Sequence, residues 1–361
     1  MKTQIITLDE NHIDAEAIQK AGNIIKNGGL VAFPTETVYG LGGDALNEES
    51  SAKIYAAKGR PSDNPLIVHI ATMDALPYIA GPIPPQAYAL AEAFWPGPLT
   101  MIFQKTEQVP FATTGGLNTV AVRMPSNPIA RELILASGGY IAAPSANRSG
   151  RPSPTLAKYV IEDLDGRIEM ILDGGSCDIG LESTIIDLSE KEPMILRPGY
   201  ITEAMMERVI GNVTIDQTIL DASSKTPPKA PGMKYRHYAP QGNLVIVEGK
   251  EGAVIDYINS KLQEASAQGK KTGVIATDET YGQYHADVRK SLGSRSDEEA
   301  IAHHLFEILR QMDDEKVEMI YTESFESHGL GQATMNRLLK AAGHQIVKLQ
   351  KRGKNDDSIR K

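Results

Sequence analysis

Five groups in this sequence carry side chains suited to holding an anion or a nucleotide. They are Lys58-Gly59-Arg60 with Asn64 and His69 close behind, Thr35-Glu36-Thr37, Arg123, Ser145-Ala146-Asn147, and Arg197. The run from Ala57 to Ile70 is the densest: it offers a lysine, an arginine, an asparagine and a histidine around a turn stiffened by Pro61 and Pro65. Lys58, Arg60, Arg123 and Arg197 together suit a polyanion such as a nucleoside triphosphate, whose chemistry demands charge neutralisation above all. Small hydroxyl and amide side chains beside glycine, as in Ser145-Ala146-Asn147-Arg148-Ser149-Gly150, let a backbone approach a phosphate or a base closely. No glycine-rich loop ending in Gly-Lys-Ser/Thr is present, which excludes a standard P-loop enzyme. Taken singly, each group is also ordinary turn chemistry. Their joint occurrence is what points to a site.

These residues need elements to bring them together. Asn47 caps a predicted helix reaching Ala57, and Gly59 with Pro61 stops it, so Lys58 and Arg60 project from its end. Leu66 to Ile70 is apolar and β-branched and predicts a strand. Period-two alternation then puts Ile67 and His69 on one face, with Leu66, Val68 and Ile70 on the other. Thr119 to Arg123 alternates in the same way, with Thr119, Ala121 and Arg123 opposite Val120 and Val122. An arginine ending such a strand calls for an anionic partner, from the protein or from a ligand. The strands Leu30–Phe33 and Tyr140–Ala143 both run into proline. That places Thr35 and Thr37, and later Ser145 and Asn147, just past strand ends, where open α/β sheets bind ligands. Asp14–Lys26 and Gln86–Phe94 read as helices, and Glu169–Asp173, Thr184–Leu188 and Met194–Arg197 as further short strands. Trp95 reads as a packing anchor rather than a base-stacking platform.

Short strands ending in proline or glycine between helices indicate an α/β domain over residues 1–215. Residues 216–242 change in composition: Thr226 to Pro240 is proline-rich, basic and aromatic, an extended linker whose tyrosine, arginine and histidine suggest docking on the site. From 243 to 350 strands alternate with helices (Leu244–Val247, Gly252–Ala267, Lys271–Ala276, Glu298–Met312, Val317–Tyr321, Gln332–Ala342, Gln345–Leu349), predicting a small parallel Rossmann-like sheet. Gly329-Leu330-Gly331 comes too late and lacks the third glycine of a nicotinamide loop. Residues 351–361 form a charged tail. The net charge of −9 argues against a protein that simply coats nucleic acid. No apolar run approaches the ~20 residues that span a bilayer, which excludes a membrane partner of that kind. The N-terminus lacks a signal-peptide pattern, and the single cysteine, Cys177, forms no disulfide framework or multi-cysteine zinc site. The expected compartment is the cytoplasm.

Pro34-Thr35-Glu36-Thr37-Val38-Tyr39-Gly40-Leu41, Lys58-Gly59-Arg60, Asn64-Pro65-Leu66, Pro144-Ser145-Ala146-Asn147, Glu182-Ser183-Thr184 and Arg197-Pro198-Gly199 together resemble the two-domain threonylcarbamoyl-AMP synthases. The linker Tyr235-Arg236-His237-Tyr238-Ala239-Pro240 does too, and the resemblance covers nearly the whole chain. It implies a YrdC-like twisted open sheet with helices, followed by a small Rossmann-like domain. It implies a nucleotidyltransferase that makes threonylcarbamoyl-AMP and pyrophosphate from L-threonine, bicarbonate (or CO2) and ATP, for N6-threonylcarbamoyladenosine modification of tRNA. Threonylcarbamoyl transferase partners would use the product, and a weak tRNA contact is left open. Lys58 and Arg60 would be the catalytic, phosphate-holding cations. Asn64, Thr119, Ser145, Asn147, Ser153, Arg197 and Tyr235 would surround ATP. Thr35, His69, Arg123, the Ala143 backbone and Ser183 would hold threonine. Mg2+ is expected on the ATP phosphates and not in a dedicated metal site, and Tyr235 would cover the labile intermediates. The alternative is an RNA-binding module without threonine-dependent ATP turnover.

Overall fold

A computed structural model describes residues 2–216, 237–326 and 328–349. Its first unit is built on strands β1 Gln4–Thr7, β2 Val31–Phe33, β3 Gly40–Asp44, β4 Ile67–His69, β5 Leu99–Gln104 and β6 Thr119–Arg123. They are followed by β7 Ile141–Ala142, β8 Met170–Asp173, β9 Thr184–Asp187, β10 Met194–Arg197 and β11 Thr214–Ile215. Among the described residues these make one 11-stranded mixed sheet, ordered β1-β8-β2-β3-β7-β4-β6-β5-β9-β10-β11. A second, 5-stranded sheet contains β12 Asn243–Glu248, β13 Thr272–Ala276, β14 Val288–Ser291, β15 Met319–Glu323 and β16 Ile346–Lys348. Its order is β14-β13-β15-β12-β16, and every pairing is parallel. This is the YrdC-like sheet and the small Rossmann-like sheet expected of the sequence.

The element that presents Lys58 is set by local chemistry. Asn47 Oδ1 accepts from the backbone N–H of Glu49 at 2.8 Å and of Ser50 at 3.3 Å, opening the helix Glu48–Lys58. Such a cap stabilises a helix by about 1 kcal/mol. Gly59, at φ 64°, ends it in the left-handed conformation that glycine adopts without a Cβ penalty. The neighbouring β4 runs parallel to β6 in a register that pairs His69 with Arg123. Alternation then divides the faces as expected. Leu66, Val68, Ile70, Val120 and Val122 enter the main core, while Ile67 and Ala121 join Ile102, Ile185 and Leu196 on the opposite side. Each large aliphatic side chain so buried favours the fold by about 1.5–3 kcal/mol relative to exposure, and this fixes which way His69 and Arg123 point. Trp95 is buried in the main core, its indole N–H donating to Leu99 O at 2.7 Å.

Four strands are not marked in the sequence reading: the short Gln4–Thr7 and Thr214–Ile215, and two whose composition hides them. Gly40–Asp44 reads as a glycine-rich loop, yet it is a central strand, antiparallel to both β2 and β7. A Cβ on Gly42 would stand 2.8 Å from Ile141 and 2.9 Å from Phe33, so the glycine lets neighbouring side chains close over the strand. Val288–Ser291 is polar because it is an edge strand, where charge discourages pairing with another chain.

The second unit leans on the first through its helices Glu298–Asp314 and Gly329–Ala341. Val38 and Leu181, from the larger unit, pack into the same core as Tyr238, Phe306 and Leu338. Among the described residues, no helix is long and apolar enough to cross a membrane.

Candidate active site

A narrow cavity lies over the face of the large sheet that carries Ile67, His69 and Arg123. Arg60, Ser145, Glu182, Ser183 and Arg197 also line it, as do Thr35 and Ala143. Each arrives from a different break in the chain. Thr35 follows the proline after β2. Its hydroxyl donates to Val38 O at 2.7 Å and lies 2.9 Å from the Thr37 hydroxyl, tying the strand-end turn together. Arg123, at the end of β6, donates from Nη1 to the Thr37 hydroxyl at 2.9 Å, and its Nη2 stands 2.8 Å from Glu36 Oε1. Both partners of that ion pair are buried. Nε and Nη2 of Arg123 and both Glu36 carboxylate oxygens nevertheless lack an aligned hydrogen-bond partner. The pair is therefore compensated in charge but short of hydrogen bonds, a state that favours a carboxylate ligand on the guanidinium fork.

The phosphate-type residues form a second group. Arg60 donates from Nη2 to Pro65 O at 2.9 Å and to Asn64 O at 3.2 Å, which anchors its guanidinium at the cavity wall. Arg197 donates from Nε to Ser183 O at 3.0 Å and from Nη2 to the Ser183 hydroxyl at 3.1 Å. That hydroxyl is also 2.7 Å from Thr100 Oγ1. Lys58 sits one layer behind. Its ammonium donates to the carbonyls of Ser145 and Asn147 and to Asn147 Oδ1 at 3.4 Å, so it holds the Ser-x-Asn loop from within. In that loop the Ser145 hydroxyl donates to Asn147 Oδ1 at 2.6 Å, and Asn147 Nδ2 donates to Arg148 O and Arg151 O at 2.8 and 3.0 Å.

Burial sets the electrostatics. It lowers the Lys58 ammonium well below its usual range, helped by the Arg60 charge. It brings Arg60 and Arg197 each down to about 10, so both remain cations at neutral pH. Burial would push the Glu182 carboxyl up, but Arg337 and Arg197 hold it below the usual carboxylate range. Lys340 falls to about 7 through burial and the nearby Arg337 and Arg197. His69, buried beside Arg123, is brought down to about 3, and His237, buried near Arg60, also to about 3.

The two imidazoles give a testable pH dependence. Both are neutral in the folded chain, whereas an unfolded histidine takes a proton near pH ~6.5. Their contribution is fully present above that pH and is lost as pH falls from there toward about 3. Replacing His69 with asparagine should flatten part of this acid slope in the melting temperature, with His237 keeping its own share. An unchanged slope would mean that His69 is already protonated in the fold.

The chain is similar to known proteins over nearly its whole length. A family model described as Threonylcarbamoyl-AMP synthase, C-terminal domain, matches residues 201–343, and one described as Telomere recombination matches residues 23–199. The threonylcarbamoyl-AMP synthase of Pyrococcus abyssi is 50% identical, with 96% of this chain and 100% of the relative covered. The chain belongs to the threonylcarbamoyl-AMP synthase family. The synthase of Bacillus subtilis is 47% identical over 96% of this chain and all of its own length. A crystal structure of P. abyssi Sua5 complexed with L-threonine superposes with a TM-score of 0.91 at 50% identity, covering 96% of this chain and 100% of that one.

Within this synthase family member, most residues expected from the sequence converge. Thr35, Arg60, His69, Arg123, Ala143, Ser145, Ser183 and Arg197 line the one cavity. Lys58, Asn64 and Asn147 adjoin it through the bonds above, and Ser153 does so by donating to Glu182 Oε1 at 2.6 Å. Thr119 opens β6 on the same face as Arg123, but at the other end of the strand and outside the cavity lining. Tyr235 lies outside the described residues. The described end of the linker does reach the site: His237 and Tyr238 line the cavity, and Ala239 N–H donates to Gly150 O at 2.9 Å. Glu36 and Glu182 belong to the site as well, each inside one of the motifs above, through their pairs with Arg123 and Arg337. Arg310, Arg337 and Lys340 stand in no sequence motif.

Proposed function

We infer that this chain makes threonylcarbamoyl-AMP and pyrophosphate from L-threonine, bicarbonate and ATP, supplying the activated group for threonylcarbamoylation of tRNA. One observation carries the reading: Arg60, Arg123 and Arg197, far apart in sequence, converge on one cavity with small hydroxyl and amide groups between them. In the reaction the threonine nitrogen is first carboxylated. An oxygen of that carbamate then attacks the α-phosphorus of ATP, the bond from that phosphorus to the β-phosphate oxygen breaks, and pyrophosphate leaves. Anion approaches anion, so the work is neutralisation and positioning. Arg60 and Arg197 take the phosphates, with Lys58 adding its charge from behind the Ser145–Asn147 loop. Asn64, Ser145, Asn147 and Ser153 shape the nucleotide side, and Thr119 and Tyr235 are assigned to ATP on the family resemblance. Arg123 takes the threonine carboxylate, flanked by Thr35, His69, Ser183 and the Ala143 backbone. No covalent enzyme intermediate is needed, and the buried Cys177 thiol, pushed up by burial, is a poor nucleophile.

Among the described residues, no group of three or more His, Cys, Asp or Glu side chains gathers as a metal site. In this reading Mg2+ would arrive on the ATP phosphates and neutralise their charge. Handover to a threonylcarbamoyl transferase, in the cytoplasm, completes the proposal. The test is pyrophosphate release from ATP with Mg2+, adding threonine and bicarbonate singly and together. Release that requires both is the expected result. Release indifferent to threonine would leave a nucleotide hydrolase, and ATP binding without any release would favour a binding module.

A further inference from the structure

Among the described residues, two of the largest fully buried side chains are arginines of the second unit, Arg310 and Arg337. Neither belongs to a motif that the reaction uses, and both extend into the first unit. Arg310, on the helix Glu298–Asp314, donates from Nε and Nη2 to Pro152 O at 3.0 and 2.6 Å. It also pairs with Asp163, Nη2 to Oδ2 at 2.7 Å and Nη1 to Oδ1 at 3.2 Å. That Asp163 Oδ2 accepts the backbone N–H of Arg148 at 3.0 Å, the residue after Asn147. One guanidinium thus fixes both ends of the segment from the Ser-x-Asn motif to Ser153. Arg337, on the helix Gly329–Ala341, donates from Nε to Glu182 Oε2 at 3.0 Å and from Nη2 to Glu182 O at 3.3 Å. Its Nη1 donates to Pro198 O. It therefore ties the loop residue before Ser183 to the residue after Arg197. The two clamps meet where the Ser153 hydroxyl donates to Glu182 Oε1 at 2.6 Å.

We propose that Arg310 and Arg337 are positioning residues, through which the second unit sets the two halves of the catalytic cavity separately. Arg310 sets the nucleotide loop Ser145–Ser153, and Arg337 sets the Ser183 and Arg197 segments that face threonine and phosphate. The assignment of halves rests on the function proposed above. Charge at these points is not solitary: Arg151 also contacts Asp163, and Arg197 stands near Glu182. Removing one guanidinium leaves a carboxylate with a remaining cation nearby, so misplacement rather than collapse is the main consequence. Displacing a substrate-holding loop by about 1 Å costs up to ~10²-fold in rate.

The test compares Arg310→Lys and Arg337→Lys in the full chain. Lysine keeps the charge but cannot reproduce the fork that holds two partners at once. Threonine- and bicarbonate-dependent pyrophosphate release is measured while ATP and threonine are titrated separately, with melting temperatures alongside. Arg310→Lys should raise the KM for ATP about tenfold or more and leave that for threonine near the wild-type value. Arg337→Lys should lower kcat and raise the KM for threonine by a comparable factor, with a rise for ATP as well because Arg197 takes the phosphates, and Arg337→Ala should recover activity in added guanidinium. Where an alanine variant does not fold, the lysine pair alone decides. Identical changes in both KM values for both variants, tracking lost melting temperature, would reduce the arginines to glue between units and overturn the proposal. Wild-type kinetics in both folded variants would overturn it too. Release that ignores threonine in the wild type would instead be a failure of the functional reading.

Discussion

A Lys58→Met variant is expected to lose about 10²–10³-fold in threonine-dependent pyrophosphate release while remaining folded. The methionine fills the space of the lysine stem, so the helix end before Gly59 keeps its packing. What disappears is the ammonium that joins Ser145 O, Asn147 O and Asn147 Oδ1. Two consequences coincide. The Ser-x-Asn loop loses the donor that holds its carbonyls, and the triphosphate loses a cation set just behind that loop. Because burial lowers the Lys58 pKa, polyanion binding should raise it again and draw in a proton. Calorimetry of ATP binding in buffers of different ionisation enthalpy, repeated across a pH series, would register that uptake in the wild type and not in the variant. Arg60→Ala should depress the same rate and, by removing a charge that helps lower the Lys58 pKa, reduce the proton uptake without abolishing it. Rates close to wild type in Lys58→Met would remove the lysine from the reaction.

The second large effect is expected at Arg123. Replacing it by alanine strands Glu36, whose carboxylate is buried and has the guanidinium as its ion-pair partner at 2.8 Å. Breaking such a buried pair from one side costs about 3–5 kcal/mol, so the single variant should melt markedly lower than the parent. The double variant Arg123→Met with Glu36→Gln removes both charges and should regain much of that stability. Activity should not return with it. The KM for threonine should stay raised by ~10²-fold or more, since a charge-assisted bidentate contact to the substrate carboxylate is gone, while ATP binding changes little. If the KM for ATP were the one to rise, the two halves of the cavity would have to be exchanged.

Features with local causes were legible in the sequence. Asn47 and Gly59 bound their helix because cap chemistry acts within a turn. The alternation in Ile67–His69 and Thr119–Arg123 reported the buried face because a strand changes face at every residue. Proline after Phe33 and after Ala143 marked strand ends, and those ends carry Thr35 and Ser145. What stayed hidden depends on distant partners. Gly40–Asp44 is a strand because Phe33 and Ile141 crowd over it, and glycine content alone reads as a loop. Glu36 looked like one more turn residue until β6 brought Arg123 beside it. Arg310 and Arg337 occupy helices whose sequences would let any long cation face water, and their partners lie 147 and 155 residues away in the chain. Helical periodicity carries no signal for such a contact.

The position of those two arginines along the chain bears on how the protein is born. During translation, folding proceeds from the N-terminal parts as they emerge from the ribosome. The large sheet, with Lys58, Arg60, Arg123 and Arg197, is therefore made before Arg310 and Arg337 have been added. On the clamp proposal, a nascent or truncated polypeptide ending after Ile215 carries every cation of the cavity but neither guanidinium that sets its loops. Such a product would bind ATP weakly and would not activate threonine efficiently. Completion of the polypeptide then acts as a built-in quality gate, and prematurely terminated copies consume little nucleotide.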